Sequence, residues 1–145
     1  MQILVDADTC PVKQIIVEVA RKRNIPVTMF IDTSHELEDS YSTVITVDKH
    51  KDSVDFALLI RVVAQDIVVT QDFGLAAMAL AKGAKVVNQN GLVFTDTNID
   101  SLMMDRYMNF KKRQRGIRTK GYSKRTKEDD NRFKHVLEEM IYSSE

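Results

Sequence analysis

The sequence predicts an α/β fold: a three-layer parallel sheet with helices on both faces, followed by C-terminal helices. Two observations carry that prediction. Short β-branched runs recur at residues 3–5, 27–31, 44–47, 67–70 and 84–87. They are apolar throughout rather than alternating, as expected of strands buried on both faces. Segments with helical spacing lie between them, and strands that alternate with helices build parallel sheets. At 145 residues, a single domain over 1–145 is expected.

The elements follow in order. Asp6 closes the first strand. Pro11 suits the first turn of a helix, and Val12, Ile15, Ile16, Val19 and Ala20 follow at helical spacing. Asn24 and Pro26 stop that helix. A second helix, about 53–64, is apolar on nearly every side and is expected to be buried. A third, about 74–82, is rich in alanine and ends at Gly83, a residue suited to the left-handed position past a helix end. After Gly91 the pattern changes. Thr97 and Asp100 can cap a helix carrying Ile99, Leu102, Met103, Tyr107 and Phe110. A last helix carries Phe133, Val136, Leu137, Met140 and Ile141 on one stripe. Residues 111–127 between them lack apolar periodicity and read as a long, mobile basic loop.

Composition narrows the class. Only Cys10 is present, so no intrachain disulfide can form; a cytoplasmic protein fits. The opening apolar run ends at Asp6, too early for a signal peptide, and no stretch is long enough to predict a membrane span. The formal charge of zero is a cancellation. Residues 1–100 hold 9 Lys and Arg against 14 Asp and Glu, a balance of −5; residues 101–145 hold 12 against 7, a balance of +5.

The negative part points to chemistry. Asp6 ends the first strand, Asp8 follows it, and Asp72 comes just after the fourth. Asp52 and Asp55 share one face at the start of the second helix. In a parallel sheet these positions meet at the carboxyl edge, where open α/β sheets bind ligands. Carboxylates converging there repel, so some stay protonated or a cation compensates. Oxygen donors with no thiolate suit Mg²⁺ or Mn²⁺. Asp52 and Asp55 also fit a plain helix cap. Asp32, Asp39, Asp66, Asp96 and Asp100 read as loop or capping residues, and His35, His50 and His135 as surface residues. Cys10 lacks the partners a nucleophilic thiol needs.

The positive part is equally concentrated. Residues 106–127 hold ten Lys and Arg and no acid. Lys111, Lys112, Arg113, Arg115, Arg118, Lys120, Lys124 and Arg125 are candidate contacts for phosphate oxygens, with Tyr122 available to stack on a base. A solvated segment, or one that folds back on the acids, has the same composition.

Longer motifs resemble a known family. Asp6-Ala7-Asp8-Thr9-Cys10-Pro11-Val12-Lys13, Asp52-Ser53-Val54-Asp55 and Asp66-Ile67-Val68-Val69-Thr70-Gln71-Asp72 resemble the signature blocks of the YaiI/YqxD family. Arg118-Thr119-Lys120-Gly121 and the run from Thr126 to Phe133 resemble its C-terminal signature. That family is similar to PIN-like domains, metal-dependent nucleases built on a Rossmann-like sheet. The resemblance implies metal-binding acids at Asp6, Asp8, Asp55 and Asp72, with Asp52 as a further ligand.

The expected activity is therefore phosphodiester hydrolysis dependent on Mg²⁺ or Mn²⁺, acting on single-stranded RNA and with no membrane partner. Asp6, Asp8, Asp55 and Asp72 are the expected catalytic residues. Two alternatives stay open: a non-catalytic RNA-binding module, and a phosphatase, since Leu4-Val5-Asp6-Ala7-Asp8-Thr9 has the shape of a haloacid-dehalogenase opening.

Overall fold

Side-chain parity along each strand sorts the core into two halves. In the computed structural model, which describes residues 1–33, 37–50, 52–119 and 124–144, the elements run β1 (Ile3–Asp6), α1 (Lys13–Lys22), β2 (Val27–Asp32), β3 (Thr43–Val47), α2 (Ser53–Leu59), β4 (Ile67–Val69), α3 (Phe73–Ala81), β5 (Lys85–Val87), β6 (Val93–Phe94), α4 (Ile99–Gln114) and α5 (Lys127–Tyr142). Ile3, Val5, Met29, Ile67, Val69 and Val87 face α1 and α5, while Leu4, Phe30, Val68 and Val86 face α2, α3 and the start of α4. Successive strand residues point to opposite faces, so continuous apolar runs fill both layers.

The six strands lie in the order β3-β2-β1-β4-β5-β6. The first five are parallel, and β6 runs antiparallel to β5. This is a Rossmann-like α/β sheet, with β1 and β4 side by side where the winding reverses. The antiparallel β6 was not among the expected strands. It is a two-residue strand, too short to register as a period. Its turn is set by Gly91 at φ +86° and by Asn88, whose side-chain oxygen accepts from the Asn90 and Leu92 amides at 2.9 Å.

Three further expectations need correction. The helix expected at 53–64 and expected to be buried ends at Leu59 and buries only Ala57 and Leu58. Phe56 is 69% exposed and Ile60 60%. The chain must leave the helix there to carry Val62 into the core and to place the Val63 amide on Asp66 Oδ2 at 2.9 Å. The helix after β6 is N-capped by Asn98 rather than Thr97 or Asp100, with Asn98 and Thr95 exchanging hydrogen bonds at 2.8 and 3.2 Å. The basic loop expected at 111–127 is shorter. Lys111, Lys112, Arg113 and Gln114 complete α4. All are good helix formers, and cations at a helix C-terminus meet its negative dipole end, so no apolar stripe is needed. At the far side α5 starts at Lys127, where Thr126 and Asp129 form a reciprocal capping box.

The two sides of α2 should respond differently to truncation. Leu58→Ala, at a fully buried position, is expected to lower unfolding free energy by about 2–5 kcal/mol. Phe56→Ala should change it by no more than about 0.5 kcal/mol. Urea unfolding monitored by circular dichroism measures both.

Candidate active site

Parity also aims the acids. Asp6 lies two residues after Leu4 and so leaves β1 on the α2/α3 side. There α2 supplies Asp52 and Asp55, and α3 begins immediately beyond β4 with Asp72 as its N-cap. Asp52, Asp55 and Asp72 line one pocket of about 340 Å³, together with Phe56 and Gly74. Asp6 lines a small adjoining cleft with Thr9, Cys10 and Gln71.

Hydrogen bonds fix two of these carboxylates, and Asp8 as well. The Thr70 hydroxyl donates to Asp6 Oδ2 at 2.9 Å and accepts from the Asp72 amide at 3.0 Å, so one side chain couples the ends of β1 and β4. Asp72 Oδ1 accepts from the Leu75 amide at 3.0 Å, and Asp8 Oδ1 accepts from the Asp32 amide at 3.0 Å. Asp52 occupies the N-cap position of α2 with a left-handed backbone, φ +66°, but its side chain caps nothing. The plain capping reading of Asp52 therefore fails. Asn24 and Gln65 share this left-handed backbone, at φ +55° and +73°, and aspartate is among the residues that tolerate it.

Thr70 and Gly74 escaped the sequence reading. A buried threonine at a strand end, two residues before an acid, was the available signal for Thr70. A Cβ on Gly74 would come within 3.2 Å of Asp72 Oδ1, so a glycine there leaves room for that carboxylate.

Electrostatics single out two acids. Burial raises the Asp6 carboxyl above its ordinary range; the Thr70 hydroxyl opposes this, and Asp8 and Asp72 add to it. Asp55 is pushed up to about 6, first by burial and then by Asp72, Asp6 and Asp52. Asp8 and Asp72 thus bear on Asp6, and Asp72, Asp6 and Asp52 on Asp55. Among the described residues, however, no three His, Cys, Asp or Glu side chains already stand in a metal-holding arrangement. The donor chemistry fits a hard divalent cation; the side-chain positions are not yet gathered around one point. Burial also raises the Cys10 thiol, which keeps it protonated and poorly nucleophilic.

The basic residues divide. A cleft of about 1020 Å³ opens beside the acids, with Gln71 on its rim, Asn88 and Asn90 on the β5–β6 turn, and Arg106, Arg113 and Arg118 opposite. Gln71 borders both this cleft and the one holding Asp6. Arg106 stacks over Phe73 at 5.4 Å, and Arg113 donates to the Thr119 hydroxyl at 3.2 Å. Lys111, Lys112, Arg115 and Lys124 are exposed. Arg125 serves the fold: its guanidinium donates to Asp130, Asn90 and the Gln89 carbonyl, each at 2.7 Å. Lys120 and Tyr122 lie outside the described residues, as does His35. No helix among the described residues is long and apolar enough to cross a membrane.

Fold and side chains together define a Rossmann-like α/β protein with an acidic pocket and a cationic cleft on the carboxyl edge of its sheet. The model of the uncharacterised YaiI/YqxD family matches residues 4–143, and the chain belongs to that family. It is 61% identical to a UPF0178 protein of Ruminiclostridium cellulolyticum over 94% of this chain and 90% of the relative. Two further UPF0178 proteins are similar along almost their whole length. That of Lachnoclostridium phytofermentans is 49% identical over 99% of this chain and 98% of its own. That of Natranaerobius thermophilus is 48% identical over 97% and 96%. No solved structure matches the chain.

The raised Asp55 value has a pH consequence. Its folded value, about 6, exceeds its ordinary value of 3.8. Between those values the folded state holds the proton more tightly than the unfolded one, so stability falls as pH rises through that window and stays lower above it. Asp55→Asn is therefore expected to raise the thermal midpoint at pH 7.5 and leave it unchanged at pH 4. Calorimetric scans at the two pH values decide this; an equal effect at both would mean that Asp55 ionises normally.

Proposed function

We propose that the protein is a PIN-like, divalent-cation-dependent nuclease that hydrolyses phosphodiester bonds of single-stranded RNA. One arrangement carries the reading: Asp52, Asp55 and Asp72 line one pocket, Asp6 lines a small cleft beside it, and Gln71 joins that cleft to a larger one lined by Arg106, Arg113 and Arg118. Such an edge favours a cation on one side and an anion on the other.

In this reading Asp6 and Asp72 hold Mg²⁺ or Mn²⁺, with Asp8, Asp52 and Asp55 completing the oxygen set. Gathering them requires their side chains to turn inward from the positions described above. A bound cation supplies an activated water and offsets charge on the pentacovalent phosphorus. Arg106, Arg113 and Arg118 hold backbone phosphates along the cleft, and Lys112, Arg115 and Lys124 extend the cationic surface. Gln71, Asn88 and Asn90 offer amides to base edges splayed from a single strand.

A non-catalytic RNA-binding module is the second reading, and the ungathered acids favour it. Assays on labelled single-stranded RNA separate the two. The nuclease reading expects cleavage with Mn²⁺ or Mg²⁺, abolished by EDTA and lowered at least about 100-fold by Asp6→Asn or Asp72→Asn. Arg113→Ala and Arg118→Ala should raise KM and each flatten the salt dependence of binding by roughly one unit of slope. Cleavage that survives both aspartate substitutions would sink the assignment. Salt-sensitive RNA binding that ignores both Mg²⁺ and Asp6→Asn would establish the second reading.

A further inference from the structure

Helix α4 presents two unlike sides. At 3.6 residues per turn, Leu102, Asp105, Arg106, Asn109 and Arg113 share one side, and these residues line the large cleft. Met103, Met104, Tyr107, Met108 and Phe110 share the other. All five are 41–59% exposed, and Ile99 is the only buried residue of the helix. Isolated exposed apolar residues are ordinary, but a contiguous stripe of five on one helix marks an interaction surface.

The charges say what covers it. Asp100 and Asp105 lie in the first half of α4; Lys111, Lys112 and Arg113 lie in its last turn. Asp100 and Lys111 project on the apolar side, one near each end of the stripe. A phosphate backbone or an anionic lipid surface would meet Asp100 unfavourably. A second α4 laid antiparallel would set Asp100 of each copy against the Lys111 end of the other, twice by symmetry.

We propose that this face is a homodimer interface, with the α4 helices of two copies crossing antiparallel about a two-fold axis between Met104 and Tyr107. The interface is isologous, so each attractive pair occurs twice and the assembly closes at two. The apolar stripe supplies the adhesion, and the charge gradient selects antiparallel over parallel docking. The clefts on the opposite sides of the two helices stay open. The dimer stands whether or not the acids act on phosphodiesters.

Sedimentation velocity on the full chain, across roughly micromolar to hundred-micromolar concentrations, gives the first test. Twice the 16.6 kDa chain mass is expected. Met104→Glu with Phe110→Glu should give a monomer of unchanged circular dichroism. Asp100→Lys and Lys111→Glu should each weaken dimerisation by about tenfold, and together restore it. Tyr107→Cys should form a disulfide-linked dimer under mild oxidation, since Cys10 is buried. Asp105→Cys, on the cleft side, should not. A monomeric wild type would overturn the proposal, including one that binds a single-stranded oligonucleotide or anionic vesicles through this stripe. So would failure of the charge reversal to restore association.

Discussion

Mutual repulsion among carboxylates at one sheet edge is the constraint on which the rest of the molecule turns. The topology makes it unavoidable. β1 lies between β2 and β4, Asp6 leaves it toward α2 and α3, and both helices begin at that same edge with an aspartate at their N-caps. A carboxylate in such a position must be neutralised, hydrogen-bonded or protonated. The protein uses hydrogen bonds where it can. Thr70 serves Asp6, the Leu75 amide serves Asp72, and the Asp32 amide serves Asp8. The positive end of the α3 dipole also favours Asp72. Burial first, and the neighbouring acids after it, raise Asp6 and Asp55 beyond what these devices offset.

The opposite charge is assembled by different means. α4 ends in Lys111, Lys112 and Arg113, so the helix dipole favours holding cations beside the cleft. Arg125 contributes indirectly: by binding Asp130, Asn90 and Gln89 it ties the start of α5 to the β5–β6 turn, and so fixes one wall of that cleft. A zero formal charge therefore conceals two poles next to each other, with Gln71 on the border of both.

The parts legible in the sequence were those in which burial leaves a period. β1, β2, β4 and β5 are covered on both faces and read as unbroken apolar runs. α1 and α5 each bury one stripe, and their apolar positions were readable in order. α2 was misjudged because a count of apolar residues does not say which are covered: Phe56 on α2 and Ile60 just past its end are exposed. The same holds for the apolar positions of α4, of which Ile99 alone is buried. The candidate acids were legible because strand ends can be located without knowing the strand order. Thr70 was not, since its role exists only once β1 and β4 are neighbours. The same limit applies to Arg125: charge composition cannot distinguish a guanidinium that meets three protein acceptors from one that faces solvent.

A comparison of two buried acids shows why position alone does not identify chemistry. Asp66 is more deeply buried than Asp6, at 2% exposure. Yet its two oxygens accept from the Gln2 amide and side chain and from the Val63 amide. Those donors come from the segments that enter β1 and β4, so Asp66 is a structural tie at the amino edge. Asp6 sits at the carboxyl edge, with one hydroxyl donor and two acids acting on it. A structural carboxylate recruits donors in proportion to its burial, because an unmet one costs about 1–3 kcal/mol or more. Asp6 falls short of that standard while Asp66 meets it. The shortfall in donors, rather than the burial, is what separates the carboxyl edge from the amino edge.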